Sequence, residues 1–134
     1  MINSADEFVR LRQSEDPDEY HRAAWEEADV DVWREVMRAY PDMLEWVAHN
    51  KSIPEVIIRE LYRLGDKKVN DTLARKRKTP LDIPEEFAHS SDESLRLSVA
   101  RHPKAPRSVL MMLQSDDWVE VRKVVNERLE KDDD

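Results

Sequence analysis

A motif that returns every 26 residues constrains this chain more than any other feature. The stretch Val47-Ala48-His49-Asn50-Lys51-Ser52-Ile53-Pro54 recurs at residues 73–80 and again at 99–106, both steps being 26 residues without a gap. The flanks keep the register. Asp66 falls over Asp92, Val69 over Leu95 and Val121, and Arg96 over Arg122. Downstream, Ile57, Ile83 and Val109 share one column, and Leu61, Phe87 and Leu113 another. Upstream, residues 17–24 match 41–48 at a step of 24, which sets Val30 over Pro54 and Trp33 over Ile57. Four full copies and a truncated fifth, opening at Val121, thus span most of the chain. Self-similarity at such a period marks supersecondary units that cannot bury their apolar sides alone and stack to do so.

Each copy reads as two helices. The first carries apolar residues at i and i+4, as in Val69 and Leu73, Leu95 and Val99, or Val121 and Val125. Asp66 and Asp92 stand upstream, where a carboxylate accepts helix N-terminal N–H groups. A polar turn and a proline (Pro54, Pro80, Pro106) precede the second helix, and the proline suits its first turn. In the third copy Pro84 replaces the residue equivalent to Ile58, so that second helix should start late and be short. Ser4 with Glu7 forms a capping-box pattern ahead of Phe8, Val9 and Leu11. The expected fold is all-α, an α-solenoid of stacked short helix pairs with about nine helices in a single domain over residues 1–134. A capping helix takes about 4–13, repeats about 16–39, 40–65, 66–91 and 92–115, and a terminal helix 117–130, with fraying expected from Lys131.

The phrase Asp-x-x-x-Arg-x-x-Val-Ala-x-x-Pro-x-x-Pro, read from Asp92 to Pro106, resembles the leucine-rich repeat variant (LRV) group and its HEAT-like relatives. The likeness covers about Asp16 to Leu129. It implies a right-handed solenoid in which one helix of each pair is short and partly 3₁₀, serving as a binding scaffold. The iron–sulfur cluster that some LRV proteins carry in a cysteine-rich segment is not carried over, because this chain has no cysteine.

Composition narrows the chemistry. Gly65 is the only glycine, which excludes a glycine-rich phosphate loop and disfavours a multi-hairpin β fold. The missing cysteines also exclude disulfides, a thiol nucleophile and zinc–thiolate sites. The longest apolar run, Val109 to Leu113, is far too short to span a membrane, and no secretory signal pattern opens the chain. The chain therefore reads as a soluble cytoplasmic protein. Net charge is −8 and unevenly placed: residues 1–35 hold eleven acids against four bases, and residues 59–78 eight bases against three acids. Overall acidity disfavours nucleic acid and favours a basic protein partner, chiefly by steering encounter, although it also serves solubility.

No catalytic, metal or cofactor constellation is recognisable. His21, His49, His89 and His102 make no His-Glu-x-x-His pair. The His49 column holds Arg75 and Arg101 and the His102 column holds Asn50 and Lys76, so these histidines read as solvated turn residues. Glu26 with Glu27 and Glu85 with Glu86 are adjacent, and adjacent helical side chains point about 100° apart rather than at one substrate. The expectation is a non-enzyme that binds another protein through Trp25, Glu26, Glu27, Asp29, His49, Arg75, Arg101 and Met111. Trp25 occupies a turn column at one rim, either as a hydrophobic anchor or as packing in the terminal repeat. Trp33 reads as core and Trp46 as half exposed. Val56, Tyr62, Met111 and Met112 form an apolar set that serves either contact or inter-repeat packing. By analogy with HEAT-like immunity proteins, the partner is a cationic toxin. The competing reading is a nucleic-acid contact through the basic rim Arg75, Lys76, Arg77 and Lys78.

Overall fold

The computed structural model describes residues 1–133, with the side chains of Asp132 and Asp133 left aside. Among the described residues it is all-helical, with ten α-helices and an isolated parallel bridge between Ile2 and Ala28. The helices are α1 (Ala5–Gln13), α2 (Pro17–Trp25), α3 (Val30–Ala39), α4 (Leu44–His49), α5 (Glu55–Leu64), α6 (Lys67–Arg75), α7 (Asp82–Phe87), α8 (Glu93–Arg101), α9 (Arg107–Leu113) and α10 (Val119–Asp133). A 3₁₀ turn at Pro41–Met43 leads into α4. Among the described residues, no helix is long and apolar enough to cross a membrane. Contacts divide the chain into two compact units, Met1–Thr72 and a second that starts at Leu73. Helix α10 is assigned as far as Asp133, and Asp134 lies outside the described residues.

Helix starts follow from residues at repeat positions. Ser4 Oγ accepts the Glu7 N–H at 3.1 Å, while the Glu7 carboxylate turns to Arg22 at 3.5 Å instead of closing the box. Asp16 and Asp92 each accept the N–H two residues ahead, at 3.0 and 2.9 Å, and Asp66 accepts that of Val69 at 3.0 Å. A serine stands two residues before each of the first two. Ser14 and Ser90 accept the N–H groups of Asp16 and Asp92 at 3.1 and 3.0 Å. Asp116, 26 residues after Ser90, does the same for Trp118 at 2.9 Å. The aligned arginines also match, since Arg96 donates to the Ser90 carbonyl and Arg122 to that of Asp116.

Pro54 and Pro106 stand at the N-cap of α5 and α9, one residue before the first helical position. Helix α7 begins two residues after Pro80 and runs for six residues, as Pro84 requires. Gly65 ends α5 at φ +70°, the left-handed conformation that a side chain resists. Every expected apolar column is buried: Val69, Leu73, Leu95, Val99, Val121 and Val125; Ile57, Ile83 and Val109; Leu61, Phe87 and Leu113. In the first unit, α1 packs on α2 and α3, and Phe8 meets Trp33 edge to face at 5.2 Å. In the second, α10 packs on α8 and α9.

The polar column in the turns behaves differently from the solvated role expected of it. Asn50 is 0% exposed, Lys76 9% and His102 1%. Asn50 donates through Nδ2 to the carbonyls of Ala23 (2.8 Å) and Glu26 (3.0 Å), while its Oδ1 accepts the Ser52 N–H at 2.8 Å. His102 repeats this in the second unit. Its Nδ1 accepts the Lys104 N–H at 3.1 Å, which leaves Nε2 to carry the proton and donate to the Lys76 carbonyl at 3.1 Å. Arg128, a further 26 residues on, donates to the carbonyls of Ala100 (2.7 Å) and His102 (2.6 Å). These side chains supply donors to carbonyls at helix C-terminal ends, which lack the next helical turn to bond them.

Candidate protein-binding surface

The end of α2 is held from outside its own helix. Five consecutive carbonyls, from Ala23 to Glu27, accept hydrogen bonds: Ala23 and Glu26 from Asn50, Ala24 from the Lys51 N–H (2.8 Å), Trp25 from the Ser52 hydroxyl, and Glu27 from the Ile2 N–H (2.8 Å). With these carbonyls paired, the segment presents its side chains from a held main chain, which lowers the backbone ordering cost when a partner arrives. Trp25 is 53% exposed and stacks on His21, with ring centroids 5.9 Å apart. Glu27 and Asp29 are exposed and have no hydrogen-bond or ion-pair partner through their carboxylates among the described residues.

The neighbouring acids are less available. Glu26 is gripped by the Arg22 guanidinium and lies 2.9 Å from the Met1 amine, which together pull its carboxyl from an ordinary 4.5 down to about 2. Glu19 is paired with Arg10 at 2.6 Å and Glu35 with Arg38 at 2.6 Å. Of the acids crowding residues 16–35, the local arginines thus neutralise several and leave Glu27 and Asp29 as open charge within four residues of Trp25. Because the folded Glu26 carboxyl lies below its unfolded value, its stabilising effect is complete above about pH 4.5 and is lost as pH falls through about 2. Urea midpoints measured between pH 6 and pH 2 should show this loss, and Glu26→Gln should flatten that part of the curve.

Asp116, paired with Arg96 at 2.7 Å, follows the same sign. Burial raises its carboxyl, but hydrogen bonds from Arg96 and the Trp118 N–H outweigh this and hold it below the usual range.

Other expected contact residues lie elsewhere. Arg75 and Arg101 are exposed at the C-terminal ends of α6 and α8, where a cation complements the helix dipole. Met111 is 53% exposed on α9 beside the exposed Met112, and Val56 is exposed on α5, so these three do not pack between repeats. Trp33 is buried and Trp46 half-buried, as expected. The basic block 75–78 is split, because Lys76 turns inward while Arg75, Arg77 and Lys78 stay exposed.

His49 lines a cleft of about 440 Å³ in the first unit, together with Arg12, Tyr20, Ala23, Ala24, Trp46 and Lys51. Its ring lies 5.3 Å from that of Trp46, and the Arg12 guanidinium covers the Trp46 ring at 3.5 Å. These residues come from α1, α2, α4 and a turn, and no sequence motif groups them. No protein-family model, curated protein or solved structure matches the chain.

Proposed function

We propose that the chain is an α-solenoid of stacked helix pairs, akin to the LRV and HEAT-like repeats, that works without catalysis as a cytoplasmic protein-binding module. Its partner is a basic protein, held in the manner of an immunity protein neutralising a cationic toxin. The repeat reading draws support from side chains with one role recurring 26 residues apart, as Ser90 with Asp116, Arg96 with Arg122, and His102 with Arg128.

One observation carries the binding reading: Trp25, 53% exposed, stands on a segment whose carbonyls are all paired, and the unpaired carboxylates of Glu27 and Asp29 follow it two and four residues on. An exposed tryptophan is a frequent interface anchor, and open acids beside it attract a basic surface from a distance. Immobilised wild-type protein, Trp25→Ala and the Glu27→Lys/Asp29→Lys double variant should be compared for what they capture from cell extract. The expected result is a protein of high isoelectric point retained by the wild type and lost from both variants. Capture that both variants leave unchanged would overturn this assignment.

A further inference from the structure

We propose that the cleft of the first unit binds a small organic anion: a flat ring that carries a phosphate or a carboxylate. The cleft opens between the end of α1, the face of α2, α4 and the turn after it, and its volume of about 440 Å³ falls within the range of small-molecule sites. Ala23 and Ala24 leave room at its wall, and Tyr20 and Trp46 supply aromatic surface.

Within the first unit, the cleft is where two cations without acid partners come together against aromatic side chains. Most arginines of the unit sit on acids: Arg10 on Glu19, Arg22 on Glu26, Arg34 on Glu60, Arg38 on Glu35 and Arg59 on Glu55. Arg12, Lys51, Arg63 and Lys68 have no carboxylate partner among the described residues, and of these Arg12 and Lys51 stand together in this cleft while Arg63 and Lys68 lie outside it. Arg12 is held in place by stacking on Trp46, which positions the guanidinium without neutralising it. The Lys51 main chain is fixed by its N–H bond to the Ala24 carbonyl, and its side chain is exposed.

The Arg12 guanidinium held on Trp46 and the exposed Lys51 ammonium recognise an anionic head by charge-assisted hydrogen bonds, and Tyr20 and the Arg12–Trp46 stack take the flat body by stacking. His49, 5.3 Å from Trp46, borders the same space, with its Nε2 turned to Thr72 Oγ1 at 3.5 Å and the Glu45 carboxylate at 3.9 Å. The proposal is independent of the Trp25 surface, which attracts the opposite charge.

The test uses the whole chain and follows the Trp46 indole N–H by nuclear magnetic resonance. The probes are adenosine monophosphate, indole-3-carboxylate, their neutral counterparts adenosine and indole, and inorganic phosphate. The expected result is a saturable shift with at least one anionic ring compound at about 1 mM or below, and binding at least about tenfold weaker for the neutral rings and for inorganic phosphate. A response to the phosphate ester alone identifies a phosphate ligand, and a response to the carboxylate alone a carboxylate ligand. Lys51→Gln, which leaves the Arg12–Trp46 stack untouched, should weaken binding about tenfold with an unchanged circular dichroism spectrum. Absence of a saturable shift with both anions would overturn the proposal, as would neutral rings binding equally well or Lys51→Gln having no effect.

Discussion

Alanine at Leu61, Leu95 or Leu113 is expected to lower the unfolding free energy by about 2–5 kcal/mol in each case. All three are buried; Leu61 and Leu113 share an apolar column with Phe87, and Leu95 shares one with Val69 and Val121. Removing the isobutyl group forfeits its transfer free energy and leaves a hole that helices fixed by their caps cannot close. Leu61 belongs to the first unit, whereas Leu95 and Leu113 belong to the second. Denaturant unfolding with separate probes, Trp33 for the first unit and Trp118 for the second, therefore tells where each loss falls. A loss below about 0.5 kcal/mol at all three would mean that the columns do not form the core.

The second large effect concerns His102. Its replacement by alanine removes the donor to the Lys76 carbonyl and the acceptor for the Lys104 N–H in a site that is 1% exposed. Leaving the Lys104 N–H unpaired, with the Lys76 carbonyl reduced to its bond from the Thr79 N–H (3.2 Å), should cost about 1–3 kcal/mol. His102→Asn should recover a large part of this, because Asn50 makes the same two kinds of bond at the equivalent position of the first unit. His102→Leu, apolar and of similar bulk, should not recover it. Equal stability for the asparagine and leucine variants would show that packing rather than hydrogen bonding is what the position supplies.

How much of the fold was legible in the sequence depended on what each signal measures. Apolar columns at a fixed step report burial directly, and Val69, Leu73, Leu95 and Val99 are accordingly all buried. The short α7 was legible too, because Pro84 has no N–H to give and fits only near a helix start. The turn column was deceptive. Asn50, Lys76, His102 and Arg128 differ in charge and shape, which suggested solvent, yet each side chain carries a donor. A column that varies in everything except the capacity to donate marks backbone carbonyls in need of a partner, and Asn50, His102 and Arg128 meet that need.

At the candidate surface, position in a turn placed Trp25 in solvent correctly. What the sequence withheld was which acids would be neutralised. Glu26 is adjacent to Glu27 but reaches back four residues to Arg22, while Glu27 does not. The cleft was hidden for a related reason. Arg12 and Trp46 are 34 positions apart in the chain, and only the packing of α1, α2 and α4 shows that one covers the other.

Recognition of a basic protein by Trp25 with Glu27 and Asp29 stands or falls on the binding kinetics of the captured partner across a range of salt concentrations. Glu27→Lys/Asp29→Lys should slow association about tenfold or more at low salt, with the deficit shrinking as salt rises and dissociation little changed. Trp25→Ala should instead speed dissociation by about 30-fold, equivalent to about 2 kcal/mol, with association nearly unchanged. Association and dissociation rates that both variants leave at their wild-type values would contradict this mode of recognition.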